Sequence, residues 1–208
     1  MKLFYSPGTC SLAPHLVLRE IGKPFELDRV DMYSKKTESG SDLGALSPAA
    51  TVPLLQLDSG AYLSECAVIL QYLADTNPQA QLAAPPGTPD RWTQMQWLNT
   101  IATEVHKGFS AVFNDYGDAA RTKFLERIGR YFGFFNSLAG KNAYLLGSRF
   151  SIVDAYLFPM IVWSRIVEID ASSWPDLVSY FSRVAARKSV KDAMEAEGLA
   201  DMLAEISS

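Results

Sequence analysis

Between Asn77 and Pro89 the chain carries Pro78, Pro85, Pro86, Gly87 and Pro89. No helix or strand runs through such a stretch, so the flanks must fold as separate structures. The flanks also differ in pattern. Ahead of the break, short apolar runs alternate with helical ones. Lys2–Tyr5 is a short apolar run that Ser6-Pro7-Gly8 breaks. Ser11–Ile21 has helical spacing and ends at Gly22, a good C-terminal cap. Phe25–Met32 reads as a second strand, and Lys35–Leu46 as an irregular loop with a weak helix. Leu54–Leu57 and Ala61–Leu63 make a hairpin about Asp58-Ser59-Gly60, and Ser64 is the expected cap of a helix reaching Asp75. The order is βαβ, then αββα.

Beyond the break the pattern is helical throughout. The spacing predicts helices over Arg91–Asp115, Ala119–Leu138, Ile152–Val167, Asp176–Ala186 and Val190–Glu197. Ser151-Ile152-Val153-Asp154 has capping-box logic, with Asp154 at the third position; it concerns folding, not chemistry. The expected domains are residues 1–77, a linker over 78–89, and an all-helical 90–208. At 208 residues and 48% hydrophobic content, two packed units are well supplied with core.

Charge and composition exclude several functions. Nineteen Lys and Arg against 23 Asp and Glu give a net charge of −4 without a basic run, which argues against nucleic acid or an anionic membrane as partner. The longest apolar stretch, Ala155–Trp163, is far short of the ~20 residues that span a bilayer, and the N-terminus has no secretory core. A cytoplasmic protein is expected. Cys10, His15, Cys66 and His106 lie too far apart for a zinc site built from close pairs, and no nucleotide-binding or metallohydrolase motif is present. No metal and no nucleotide are expected.

Four features carry chemistry. Cys10 lies where a strand end feeds a helix start, and the positive end of a helix dipole stabilises a thiolate there; the alternative is a small buried thiol. Tyr5 and Ser11 offer hydroxyls at the same mouth. Val52-Pro53 precedes the third strand, where a cis bond leaves the Val52 backbone able to pair with an extended peptide. Ser64-Glu65-Cys66 opens a helix whose N–H groups suit a carboxylate while Glu65 suits an ammonium, together an α-amino acid head. Asn99, Thr103, His106 and Lys107 form one polar stripe at helical spacing, either a solvent face or a lining of the site. Glu104 points away from that stripe and could reach a second subunit. His15, among apolar neighbours, reads as structural.

These features together resemble the cytosolic glutathione transferases. The opening Met1-Lys2-Leu3-Phe4-Tyr5-Ser6-Pro7-Gly8-Thr9-Cys10-Ser11-Leu12-Ala13-Pro14-His15 and the later Glu104-Val105-His106-Lys107-Gly108-Phe109 are similar to the bacterial beta class. Gln71-Tyr72-Leu73-Ala74-Asp75 and Phe150-Ser151-Ile152-Val153-Asp154-Ala155-Tyr156 agree. The resemblance implies an α/β thioredoxin-like N-terminal domain followed by an all-α C-terminal domain, a homodimer, and glutathione as co-substrate. Cys10 would face the glutathione sulfur, with Tyr5 and His106 as further catalytic candidates. Val52 and Pro53 would meet its cysteinyl backbone, Glu65 and Cys66 its γ-glutamyl head, and Lys35 its glycyl carboxylate. Asn99, Thr103, Val105, His106 and Lys107 would complete the site, with Glu104 serving the partner. A small hydrophobic electrophile would lie against Phe109, Phe113 and Tyr116.

Two positions depart from the family. Before Val52 the beta class commonly has Asn-Pro-Lys-Gly-Gln, and this chain has Ser47-Pro48-Ala49-Ala50-Thr51; after Glu65 it has Cys66 in place of Gly or Ser. Both changes reduce side-chain contacts to glutathione. The expected activity is conjugation of the glutathione thiol to electrophiles. Thiol–disulfide exchange or peroxide reduction through Cys10, and ligand binding without catalysis, are the alternatives.

Overall fold

Leu3, Phe4 and Tyr5 are all buried, so the first strand has core on both faces and sits mid-sheet. The computed structural model describes residues 1–114 and 116–202. The elements before the proline-rich stretch are β1 (Lys2–Tyr5), α1 (Leu12–Ile21), β2 (Glu26–Asp31), β3 (Lys36–Thr37), α2 (Leu43–Leu46), β4 (Leu54–Gln56), β5 (Tyr62–Ser64) and α3 (Cys66–Asp75). The sheet order is β3-β2-β1-β4-β5. β1 runs parallel to β2, from Lys2↔Glu26 to Tyr5↔Arg29, and antiparallel to β4, from Lys2↔Gln56 to Phe4↔Leu54. The two-residue β3 is the element the sequence reading lacked, and it pairs antiparallel with β2. Phe4, Val30, Leu43, Val52 and Leu54 make the core on one side, with Met32 and Leu46 at its margin. Gly22 closes α1 at φ +72°, its N–H donating to the Leu18 carbonyl, a conformation that favours glycine.

Contacts group residues 1–81 with the chain from Ala185 onward, and Leu82–Val184 form the second unit. The sequence reading had placed everything from residue 90 in the helical part. Helix α9 (Lys188–Ala196) packs against α1, because its fully buried Val190, Ala193 and Met194 need an apolar face. Arg187 fixes the start of this packing, donating from Nε and Nη2 to the two Glu20 carboxylate oxygens at 2.8 and 2.9 Å.

The second unit contains α4 (Pro89–Thr100), α5 (Lys107–Phe113), α6 (Asp118–Ala139), α7 (Ile152–Ile166) and α8 (Pro175–Ala185). Thr88 caps α4, and Pro89 takes its first position, where a missing N–H costs nothing. Residues Ile101–His106 are a π-helical turn between α4 and α5. The single helix expected over Arg91–Asp115 is therefore interrupted, and Asp115 lies outside the described residues. Thr100 and Thr103 accompany the break, each donating its hydroxyl to a carbonyl four residues back, at 2.9 and 3.0 Å. α7 is buried from Ile152 to Ser164 and forms the centre of this unit. Its capping box is present, with Ser151 and Asp154 bonding reciprocally as read from the sequence. Among the described residues no helix is long and apolar enough to cross a membrane.

Candidate functional site

The turn between β1 and α1 is stitched by its own side chains. The Ser6 carbonyl accepts from the Thr9 hydroxyl at 2.8 Å and the Ser11 hydroxyl at 3.2 Å, while the Ser6 N–H donates to Ser11 Oγ at 3.2 Å. The Ser11 hydroxyl is thus fully buried and used inside the turn, and it is not the open hydroxyl expected from the sequence. Gly8 takes φ +72°, and its N–H donates at 2.9 Å to Glu197 Oε2, just past α9. The other carboxylate oxygen of Glu197 meets His15 Nδ1 at 2.8 Å. Arg19 Nε donates to His15 Nε2 at 3.3 Å, which leaves Nδ1 to face the Glu197 carboxylate. His15 is a buried structural residue, as read.

The Cys10 thiol donates to the Val52 carbonyl at 3.6 Å. The Val52–Pro53 bond is cis, and Val52 lies before the β1–β4 ladder, which begins at Leu54. Cys66 is the first residue of α3, and its thiol donates to the Cys10 carbonyl at 3.6 Å. The site elements of the first unit (the Cys10 turn, the Val52 backbone and the start of α3) therefore converge. Ser64 is not the cap of α3; it is held in β5 opposite Leu54, and Glu65 takes the cap position at φ +70°, with no side-chain cap bond. That backbone region costs a non-glycine residue of order 1–3 kcal/mol, and such cost gathers where geometry serves a ligand. Glu65 is exposed at the start of α3, the end of a helix whose dipole favours an anion.

Tyr5 is buried, with its ring 6.1 Å from that of His15. Burial first, and the Glu197 carboxylate next, hold its hydroxyl above the usual tyrosine range. It is a neutral phenol packed on the His15 side, which leaves its expected catalytic part without geometric support. Lys35 lies in the loop after β2 at φ +59°, its N–H donating to the Asp31 carbonyl at 2.8 Å. Ala50 also has a positive φ, +47°, a conformation that favours glycine.

In the helical unit, the polar stripe is partly as expected. Asn99, Thr103 and Lys107 are exposed, while His106 is half-buried. His106 Nδ1 lies 2.9 Å from the Tyr156 hydroxyl, and its ring meets Trp163 edge-on at 5.3 Å. Burial, and then the Lys107 charge, lower its pKa from 6.5 to about 4. At neutral pH it is an uncharged hydrogen-bonding imidazole, not a group that titrates there.

Three expected residues are placed differently. Glu104 pairs with Arg127 of α6 at 2.7 Å within its own chain, so its carboxylate is already engaged. Val105 is fully buried and offers no side chain to a ligand. Phe109 is fully buried too, stacked beneath Phe113 at 6.1 Å; of the three aromatics expected at the electrophile, Phe113 and Tyr116 reach solvent. The sequence reading missed Glu197, Tyr156 and Arg127. For Glu197 the signal was indirect: a buried His15 needs a polar partner. Among the described residues, no group of three or more His, Cys, Asp and Glu side chains could hold a metal ion.

Comparison with known proteins agrees with this geometry. Residues 8–76 match the family described as "Glutathione S-transferase, N-terminal domain", and residues 100–188 match "Glutathione S-transferase, C-terminal domain". The chain is 41% identical over 200 residues to glutathione S-transferase GstA of Escherichia coli O157:H7, covering 96% of this chain and all of that one. A structure described as a ternary complex of BphK, a bacterial GST, shares 46% identity at a TM-score of 0.93, over 96% of this chain and all of that one. A beta-class glutathione S-transferase of Sphingomonas chungbukensis shares 41% identity at 0.91, with the same coverage of both chains. A sphingomonad glutathione S-transferase solved with glutathione shares 40% at 0.91, again over 96% and 100%. With a thioredoxin-like first unit, an all-helical second and relatives matched along nearly their whole length, the chain belongs to the glutathione S-transferases, with the bacterial beta class as its kin.

Proposed function

We propose that this protein binds reduced glutathione on its thioredoxin-like unit and catalyses attack of the glutathione thiol on a small hydrophobic electrophile. The observation that carries the reading is the convergence of the Cys10 thiol, the Val52 backbone and the start of α3 behind Glu65. An extended γ-glutamyl peptide offers the matching groups: a backbone for Val52, a carboxylate for the α3 N–H groups, and an ammonium for Glu65. The reacting species is the thiolate, and each pKa unit by which a site favours it is worth about 1.4 kcal/mol. Cys10, at the mouth of α1, is assigned to the glutathione sulfur, and Lys35 to the glycyl carboxylate. Asn99, Thr103, His106 and Lys107 are assigned to contacts with the substrates on the resemblance, His106 as a neutral hydrogen-bonding group. Phe113 and Tyr116 are the aromatics assigned to the electrophile.

The protein is further assigned to the cytoplasm and to a homodimer. The dimer is supported by the resemblance and by Trp92 and Met95, exposed three residues apart on α4. Calorimetric titration with glutathione, followed by turnover of an aryl halide, tests the function. Binding with turnover, both lost in Glu65→Ala, is expected. Binding without turnover of any electrophile would leave a ligand-binding protein, and no binding would overturn the reading.

A further inference from the structure

Cys10 and Cys66 are the only cysteines in the chain. Both are buried in the same unit, and neither is in a disulfide. The Cys66 sulfur lies 3.6 Å from the carbonyl oxygen of Cys10 itself, at the opening of α3. Covalent geometry then places the two Cα atoms within about 9 Å of each other. A disulfide needs a Cα separation of ~4.4–6.8 Å. Cys10 itself lies ahead of α1, in a turn that contains Gly8, where a small adjustment does not have to break the interior of a helix.

We propose that Cys66 is a resolving thiol for Cys10, so that the protein reduces low-molecular-weight disulfides through an internal Cys10–Cys66 bond. The Cys10 thiolate attacks one sulfur of oxidised glutathione. The substrate S–S bond breaks, one glutathione leaves as thiolate and takes a proton from water, and Cys10 carries the other as a mixed disulfide. Cys66 gives up its proton to solvent and attacks the Cys10 sulfur. The mixed disulfide breaks and the second glutathione leaves, protonated in turn. Two protein thiols have then lost two electrons and two protons, and one disulfide has become two thiols. Excess reduced glutathione runs the sequence backward and restores the dithiol. The second attack is internal, between groups already held together, which favours it over capture of the mixed disulfide by an outside thiol. With serine in place of Cys66 the sequence would stop at the mixed disulfide. The proposal rests on the glutathione reading above only for the choice of physiological oxidant.

The test uses the full-length reduced protein, treated separately with oxidised glutathione and with hydroxyethyl disulfide, which has no peptide to recognise. After acid quench and alkylation of remaining thiols, intact mass is read for wild type, Cys66→Ser and Cys10→Ser. Circular dichroism confirms that the variants are folded. Wild type should end two hydrogens lighter, unalkylated and free of adduct. Cys66→Ser should retain one adduct on Cys10, and Cys10→Ser should form no disulfide. A wild type that keeps its adduct on Cys10 while Cys66 is alkylated overturns the proposal and leaves the glutathione site standing. An internal disulfide formed only with hydroxyethyl disulfide supports the resolving role and counts against the glutathione site. Wild type unreactive to both reagents overturns the proposal.

Discussion

Glu197 and His15 form a fully buried pair, 2.8 Å apart in space and 182 positions apart in sequence. The same carboxylate holds the Gly8 amide in the turn that carries Cys10. A residue from the far end of the chain therefore shapes the candidate site without lying in it.

Removing that carboxylate takes one acceptor from the part-buried Gly8 amide and one from the buried His15 ring. Glu197→Ala should cost about 1–3 kcal/mol for each donor that loses its acceptor. Urea unfolding gives the loss in stability, and alkylation kinetics of Cys10 should rise as its turn loosens.

His106 sets an acid dependence. Its folded pKa of about 4 lies below the ordinary 6.5. Between those values the unfolded chain takes up a proton that the folded one refuses, so stability is whole above about pH 6.5 and falls as pH drops toward 4. The contribution amounts to about 3 kcal/mol across that window. Measured against His106→Gln from pH 7 to pH 4, wild type should lose that much more. Equal losses in both proteins would count against a buried neutral imidazole.

Asp154 accepts four hydrogen bonds: from the Leu145 and Ser151 amides at 2.9 and 2.8 Å, the Ser151 hydroxyl at 2.7 Å and the Tyr180 hydroxyl at 2.9 Å. Burial raises its pKa, and these donors work against that rise. Asp154→Asn must turn an NH₂ group toward donors, and should cost about 2–4 kcal/mol in chemical denaturation.

Ala50→Gly should stabilise the protein by roughly 0.5–1 kcal/mol. Ala50 sits at φ +47°, where a Cβ crowds the backbone and glycine does not. A raised unfolding midpoint with unchanged far-ultraviolet dichroism is the expected result.

Light scattering at micromolar concentration should give twice the chain mass. Trp92→Glu should shift the protein toward the monomer by charging an exposed apolar position on α4. A wild type found only as monomer would remove the assigned dimer.

What the sequence displayed was whatever depends on near neighbours. Gly22 as a cap, the Ser151–Asp154 box and the hairpin about Asp58-Ser59-Gly60 each need only a few consecutive residues, and each is present. Ser64 misled because its pairing with Leu54, a tertiary contact, outweighs its capping preference. The stripe through residues 99–107 was drawn on regular helical spacing. The π turn over Ile101–His106 interrupts that spacing, and fully buried Val105 and Phe109 flank a half-buried His106. The partners of His15 and His106, Glu197 and Tyr156, lie 182 and 50 positions away, beyond any local pattern. Cys66 could be seen as a departure from the family, but its approach to the Cys10 carbonyl required the fold.

The packing of α9 on α1 also sets an order of assembly on the ribosome. Residues 82–184 are all synthesised before the first unit has α9, so the helical unit can close while the strands that precede it still wait. The usual order of cotranslational folding, N-terminal part first, is thereby reversed for completion. Until Glu197 has emerged from the exit tunnel, the Gly8 amide and His15 lack their shared acceptor, and the turn bearing Cys10 is the last piece of the site to be set. A nascent chain stalled short of that residue would carry every other site group in sequence and still present an unfinished thiol turn.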